Sequence, residues 1–223
     1  LTDTVRHMAE IHLPSKTMTA VLGRVMCGAS LIGSLLKNKE DSLTLRIDGD
    51  GPAGKIICVS DYLGNVRICA DHYGVELPPN ASGKLDVGGA VGRGTLYVIR
   101  DLGLAEPYIG SAALVSGEIA EDITNYFAAS EQTPTVCALG VRADTEKRCI
   151  AAGGYLVQLL PGADEGIVPA LERNMASMES VSKLIKDGVS GEEIVARVFD
   201  GIPFDLFDKF ECGYVCSCSR ERY

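Results

Sequence analysis

Residues 43–69 read LTLRIDGDGPAGKIICVSDYLGNVRIC, and this stretch decides the fold class. It contains three short apolar runs, at 43–47, 55–59 and 66–69, separated by breaks rich in Gly and Asp. A later run at 95–100 has the same character. Short runs with tight breaks predict antiparallel hairpins, because parallel strands need longer crossover connections.

Helical patterns flank these strands. Residues 17–37 repeat apolar side chains at spacings of three and four, which predicts one long amphipathic helix. Ser116 is predicted to cap a second helix. Two further strands are predicted at 135–141 and 149–160. Strands and helices without regular alternation indicate an α+β fold, with antiparallel sheets packed against helices in an N-terminal core.

The carboxylates after Ser116 allow a catalytic interpretation and a structural one. Glu118, Glu121 and Asp122 lie together in the first turn of the predicted helix. Negative charge there is favourable to the helix dipole. Capping and solvation therefore explain the cluster without a catalytic role.

The character of the chain changes after residue 162. The pattern is helical from about 165, but Gly188, Gly201 and Pro203 divide it into short pieces. Ser190 to Glu193 forms a capping box before one of them. Short helices are marginal alone and depend on docking. We therefore predict a core at 1–178, a conditionally stable helical linker at 179–211, and a separate C-terminal segment at 212–223; an ordinary helical subdomain is the alternative for the linker.

The bulk composition excludes several classes of function. The chain has 223 residues and a formal net charge of −9, so a nucleic-acid partner is not expected. No apolar run approaches the roughly 20 residues of a membrane span, and the first residues contain no signal-peptide core. We expect a cytoplasmic protein in a reducing compartment.

The eight cysteines fall into two groups. Five lie in apolar runs and are predicted to be buried small hydrophobes: Cys27, Cys58, Cys69, Cys137 and Cys149. The other three cluster near the C-terminus: Cys212, Cys216 and Cys218. Cys216 and Cys218 form a C-x-C pair, which is typical of half a zinc site but also compatible with two incidental surface thiols. Cys212 is a third ligand or, as we favour, a core residue.

Other motifs do not indicate catalysis. The glycine-rich stretch at 88–94 lacks the ending of a P-loop and precedes a strand, so turns explain it better than nucleotide binding. His7, His12 and His72 have no thiol or carboxylate at motif spacing. We expect a protein that is not an enzyme.

Several stretches together resemble one family, the thirty-three-kilodalton chaperonins. The most specific is LVSGEIAEDI at 114–123. The others follow in the family's order: GDGPAG (49–54), GRGTL (92–96), DLG (101–103), PY (107–108), YF (126–127), SEQ (130–132), AAGGYLVQ (151–158), LPGA (160–163) and CSCS (216–219). The resemblance covers nearly the whole chain.

The resemblance implies a redox-regulated holdase that binds unfolding proteins without ATP during oxidative stress. In the reduced form, zinc would be held by four cysteines, of which Cys216 and Cys218 are the first pair. Oxidation would form a disulfide within that pair, release zinc, unfold the linker and favour a homodimer, with domain swapping as one form of it. The second pair of the family, a C-x-x-C, has no counterpart here, so we expect a truncated zinc-binding C-terminus.

The residues expected to contact client proteins are the apolar ones of the linker. They are Leu184, Ile185, Ile194, Val198, Phe199, Leu206 and Phe207. The alternative for each is an ordinary position in a helix core. The alternative function for the chain is a thiol–disulfide oxidoreductase that uses the C-x-C pair directly.

Overall fold

The computed structural model describes residues 1–144, 146 and 148–216. It confirms the α+β class with antiparallel sheets. The elements in chain order are α1 (Thr2–His12), α2 (Lys16–Gly33), β1 (Ser42–Gly49), β2 (Lys55–Asp61), β3 (Val66–Ala70), α3 (Val87–Val91), β4 (Gly94–Asp101), β5 (Tyr108–Ala113), α4 (Ala120–Ser130), β6 (Thr135–Ala143), β7 (Cys149–Gln158), a 3-10 turn (Glu165–Ile167), α5 (Val168–Ser177), α6 (Val181–Lys186) and α7 (Gly191–Val198).

The strands form two antiparallel sheets. The larger one has the order β3-β2-β1-β4-β5, and the smaller one is the hairpin β6–β7. In β1 the apolar residues Leu43, Leu45 and Ile47 alternate with polar ones and are buried. This period of two is what places one face of the large sheet against the core.

Helix α2 runs through the core and contacts both sheets. Ser15 begins it, because the Ser15 hydroxyl accepts a hydrogen bond from the Met18 amide at 3.0 Å. The helix ends at Gly33 instead of continuing to residue 37 as predicted. After Gly33 the chain turns toward β1, and residues 35–40 are partly or fully exposed. The apolar stripe therefore continues in sequence beyond the point where the helix stops.

The second predicted helix begins later than expected. It starts at Ala120, so Ser116 does not cap it. Asp122 is buried instead of solvated. Its carboxylate accepts hydrogen bonds from the amides of Val115 and Ser116 at 2.8 and 3.1 Å, and from Ile119 at 2.9 Å. Residues 114–119 thus form a loop organised around one buried carboxylate.

One buried-cysteine prediction is wrong. Cys27, Cys58, Cys137 and Cys149 are buried, but Cys69 is exposed. It lies on β3 at the edge of the large sheet, where alternate residues face solvent. The sequence interpretation also missed α1, α3 and β5. No helix within the described ranges has both the length and the apolar character needed to cross a bilayer.

Candidate functional site

Helix α6 lies on a glycine-lined face of the hairpin β6–β7. Gly140 and Gly153 are register partners on the two strands. A Cβ added at Gly140 would lie 2.6 Å from the Ser182 amide nitrogen, and one at Gly153 would lie 2.5 Å from Ile185 Cδ1. The absence of side chains at this pair is what lets α6 approach the sheet so closely. Two apolar residues of α6 are buried, Val181 and Leu184, which are 5% and 2% exposed.

Helices α5 and α7 pack against each other next to this region. The Asn174 side-chain amide donates to the backbone carbonyls of Val198 and Asp200 at 3.0 and 2.8 Å. The predicted capping box of α7 is confirmed, with Ser190 and Glu193 exchanging hydrogen bonds at 2.8 and 3.2 Å. These contacts are local, so α5 and α7 add little burial against the large sheet.

The seven predicted client-contact residues fall into three groups. Leu184, Ile194 and Val198 are buried. Ile185 and Phe199 are half-buried. Leu206 and Phe207 are exposed, and two apolar neighbours that sequence reasoning missed are exposed with them: Phe204 and Phe210. Residues 204–210 read FDLFDKF, and this alternation of Phe and Leu with charged residues is the sequence pattern that could have identified Phe204 and Phe210 as exposed apolar residues.

A short C-terminal arm, residues 212–216, docks on the free edge of β3. Val66 donates to the Gly213 carbonyl at 2.9 Å, and Val215 donates to the Val66 carbonyl at 3.0 Å. The Gly213 amide also donates to Asn65 Oδ1 at 2.9 Å. The arm therefore extends the large sheet by a parallel bridge. Sequence reasoning missed this docking, because one isolated bridge has no periodic pattern.

Tyr214 anchors the arm in an aromatic cluster on α1. Its hydroxyl lies 2.8 Å from Nε2 of His12, and His12 stacks on Tyr73 with ring centroids 4.8 Å apart. Burial raises the pKa of Tyr214 to about 12, so the hydroxyl keeps its proton at neutral pH. Burial lowers the pKa of His12, which favours the neutral imidazole.

The predicted metal-binding residues lie just beyond this anchor. Cys216 is exposed at the end of the arm, and Cys218 lies outside the described residues. Cys212 is half-buried, and its carbonyl accepts from Thr4 Oγ1 at 3.2 Å. No group of three or more His, Cys, Asp or Glu side chains suited to one metal ion occurs in the described part of the chain. The C-x-C pair fits a zinc ion as two soft ligands and needs others to complete the site.

The buried cysteines have a different chemistry from the C-terminal pair. Burial raises the pKa of Cys27 and of Cys137 to about 12, and that of Cys149 to about 11. Burial also raises the pKa of Cys58 strongly. For the exposed Cys69, burial of part of the thiol and then the charge of Asp71 raise the pKa. Since thiolates are the reactive form, these five thiols are poor targets for oxidants at neutral pH.

These features define a class of protein. The fold is an α+β core that carries a segment of short helices, exposed apolar residues, and a docked arm that contains Cys216. A sequence model described as Hsp33 protein matches residues 1–223, and the chain belongs to the Hsp33 family.

Known relatives agree with this assignment. The chain is 47% identical over 221 residues to a 33 kDa chaperonin of Ruminiclostridium cellulolyticum, a match that covers 99% of this chain and 75% of the relative. It is 46% identical to a 33 kDa chaperonin of Clostridioides difficile, with 99% and 76% covered. The crystal structure of the 33 kDa chaperonin (Hsp33 homologue) from Thermotoga maritima has a TM-score of 0.93 and 37% identity, covering 100% of this chain and 76% of that one. The chain is therefore a member of a chaperone family.

Proposed function

We propose that this protein is a redox-regulated, ATP-independent holdase that binds unfolding proteins after oxidation. The observation that carries the proposal is the small size of α6, a six-residue helix that docks closely on the Gly140–Gly153 face but buries only Val181 and Leu184. Two buried side chains remove little apolar area from water, so release of this helix costs little free energy compared with unfolding of the core.

Release would turn a small exposed patch into a larger one. Leu206 and Phe207 are already exposed, at 58% and 90%. Undocking of α6 and separation of α5 from α7 would add Leu184, Ile194 and Val198, with Ile185 and Phe199 becoming fully exposed. Contiguous apolar patches beyond a few hundred Å² are typical of protein-binding surfaces. Client segments with exposed apolar side chains are the partners that such a surface fits.

The C-x-C pair is the proposed trigger. Cys216 and Cys218 would be two of the thiolate ligands of a zinc ion, which when bound holds the thiols reduced and orders the chain around it. Hydrogen peroxide would oxidise the two thiolates to a disulfide, and with two protons it would itself be reduced to two waters. A disulfide bridging residues two apart forces a tight turn directly after Val215.

The docked arm connects this trigger to the linker. Val215 donates to the Val66 carbonyl at 3.0 Å, next to the residue that becomes part of the disulfide. Loss of that pairing would loosen the arm at Val215. Residues 199–211 have no regular secondary structure, and their C-terminal end would be freed when the contacts of Cys212, Gly213 and Tyr214 are also released. The segment would then be held through α6 and α7. We further propose that the released form is a homodimer, with domain swapping as one form of it, and that the protein acts in the cytoplasm.

Light scattering from a heat-unfolding client protein tests the proposal. The protein is assayed after reduction with zinc and after peroxide treatment, and suppression of aggregation is expected only after peroxide. The double variant Cys216→Ser and Cys218→Ser should lose the response. Cys69→Ser is the matched control, since it removes another exposed thiol. Equal loss in both variants, or activation that survives the double change, would contradict the proposal.

The same samples separate the holdase from the alternative, a thiol–disulfide oxidoreductase. That enzyme would catalyse the reduction of insulin by dithiothreitol above the background rate. A holdase gives no such rate while still suppressing aggregation. Insulin reduction that depends on Cys216, without suppression of aggregation, would favour the oxidoreductase.

A further inference from the structure

A cavity of about 450 Å³ opens along the outer edge of β6. Its walls are residues 139–143 of that strand, the first turns of α2 with Lys16 and Arg24, the loop around Lys84, and the start of α6 at Ser182. A volume of this size is in the range of ligand sites. The cavity does not involve the C-terminal arm.

The cavity is cationic in a chain that is acidic overall. Lys16, Arg24, Lys84 and Arg142 line it, and no Asp or Glu belongs to its described lining, although the net charge of the chain is −9. Within the described ranges, Lys16, Lys84 and Arg142 form no ion pair. Such a concentration of unpaired positive charge favours an anionic ligand.

Arg24 adds a buried donor without an acceptor. One terminal nitrogen of its guanidinium pairs with the Glu118 carboxylate. Its Nε is buried and has no hydrogen-bond partner in the part of the chain that the structure describes. A buried charged donor left unpaired is costly, so a ligand that supplies an acceptor would bind there favourably.

The strand that forms one wall has an open backbone edge. Among the described residues the sheet consists of β6 and β7, so within them the outer edge of β6 pairs with no strand of that sheet. The Cys137 amide points away from β7, because it donates to Thr124 Oγ1 of α4 at 3.1 Å. In an antiparallel pair this direction alternates, so the backbone groups of Leu139 and Val141 also point outward. The amide of Ala152, the register partner of Val141, donates to Thr2 Oγ1 of α1. It therefore points away from β6, as the same alternation requires.

These outward groups are both donors and acceptors. Each of Leu139 and Val141 presents one N–H and one C=O along the cavity, and neither amide donates to a side chain or to a backbone group outside the hairpin among the described residues. A phosphate could satisfy the donors only, and its oxygens would face the carbonyls. An extended polypeptide satisfies both, and acidic side chains on it would meet the surrounding cations.

We propose that the outer edge of β6 binds an extended acidic polypeptide segment as a third strand of the β6–β7 sheet. Backbone pairing to Leu139 and Val141 supplies the affinity, and carboxylates directed toward α2 pair with Lys16 and Arg24. Arg142 and Lys84 supply charge at the open rim. This site is present while α6 is docked, so it goes beyond the oxidation-dependent surface proposed above.

Fluorescence anisotropy on the reduced protein tests the site without oxidant. The probe is a labelled eight-residue peptide of alternating Glu and Val, and saturable binding is expected. The double variant Lys84→Gln and Arg142→Gln should weaken binding about tenfold, since both side chains are exposed and their loss leaves the core intact. Lys37→Gln with Lys39→Gln is the matched control, because it removes the same charge outside the cavity and should leave the affinity within about twofold.

Backbone pairing is tested separately from charge. The same peptide with an N-methyl group on every amide keeps every carboxylate but cannot donate a backbone hydrogen bond from either edge, and we expect its binding to be lost. Equal binding of the methylated peptide, equal binding of inorganic triphosphate, or equal weakening in both double variants would overturn the proposal and leave a general attraction of anions. The holdase assay uses oxidised protein, so failure of this site does not affect that proposal.

Discussion

Helices α2 and α6 both pack on the hairpin β6–β7, and the two are held very differently. Helix α2 buries fifteen of its eighteen residues. Val141 of β6 packs against Gly23 of α2, and Leu139 packs near Gly28, so side chains of the strand fit between turns of the helix. Helix α6 buries two of its six residues, on a face where the central pair of the hairpin is Gly140 and Gly153.

The difference in burial between α2 and α6 indicates which helix is released at the lower cost in free energy. A helix with fifteen buried residues loses many contacts when it moves, whereas a helix with two loses fewer. Elements with little burial are drawn from the low-stability end of the free-energy range. We therefore expect the hairpin to stay folded on its α2 side while its α6 side opens. The exposure of the cysteines differs in the same way between the core and the C-terminal segment. Cys27 is buried in α2, whereas Cys216 in the C-terminal arm is exposed.

The largest expected effect is the difference in thiol reactivity between the two regions. A pKa of about 12 at Cys27, instead of 9.0, leaves about a thousandth of the ordinary thiolate at neutral pH. Iodoacetamide at pH 7.5 should therefore modify the exposed Cys216 much faster than Cys27, with Cys69 between them. Mass spectrometry of timed samples measures this. In denaturant all eight cysteines should react alike, and similar native rates would contradict the division.

Truncation of one leucine in each region should separate global from local stability. Leu22 and Leu184 are 0% and 2% exposed. Leu22→Ala should lower the free energy of global unfolding by about 3 kcal/mol, because the core retains a cavity. Leu184→Ala should leave the hydrogen-exchange protection of α2 unchanged and lower only that of residues 181–198. Reduced protection of α2 in Leu184→Ala would show that the two regions unfold together.

A methyl group on the glycine face should release α6. Gly140→Ala places a Cβ against the backbone of Ser182 and should cost about 1–3 kcal/mol of docking free energy. We expect stronger fluorescence of a dye that binds apolar surface, and suppression of aggregation without peroxide. Gly74→Ala is the matched control, since nothing lies within 4 Å of a Cβ at that position. Full activation in the control, or none in Gly140→Ala, would refute the role of this face.

The smallest expected effect is the pH dependence of arm docking. Burial lowers the pKa of His12 below its ordinary value of 6.5 in the folded state. Below pH 6.5 the unfolded state therefore binds more protons at His12 than the folded state does. The contribution of neutral His12 to the stability of the docked arm is fully present above pH 6.5 and is lost as the pH falls below that value. The protection factor of the Val215 amide should decrease in that direction. His12→Gln should remove the dependence, and an unchanged slope in that variant would assign it to another group.

The sequence predicted most of the sheet and less of the contacts that define the site. Strands β1, β2, β3 and β4 were predicted from short apolar runs separated by Gly- and Asp-rich breaks, within a few residues of their ends. The stop of α2 at Gly33 was missed, because the apolar period runs past it. The early start assigned to α4 was wrong because Ser116 resembles a cap, while the buried Asp122 organises that loop through backbone contacts that have no pattern in sequence.

The candidate site divides in the same way. The capping box at Ser190 was predicted from its local Ser and Glu spacing and is confirmed. The conditional stability of the linker stays a prediction. The docking of Tyr214 on α1 was not readable, since it joins residues about two hundred positions apart. Cys69 is exposed because β3 lies at the edge of the large sheet. The order of strands in a sheet is not visible in the apolar pattern of one strand, so this exposure could not be predicted. The role of Cys216 and Cys218 as a zinc-bound pair stays a prediction.

Hydrogen exchange measured by mass spectrometry, on reduced and on peroxide-treated protein, tests the central claim most directly. The account predicts that residues 181–198 lose their protection after oxidation while α2 and β6 keep theirs, and that aggregation of a client is suppressed over the same time course. Protection that persists in α6 while suppression appears would contradict it, because clients would then bind without release of this helix.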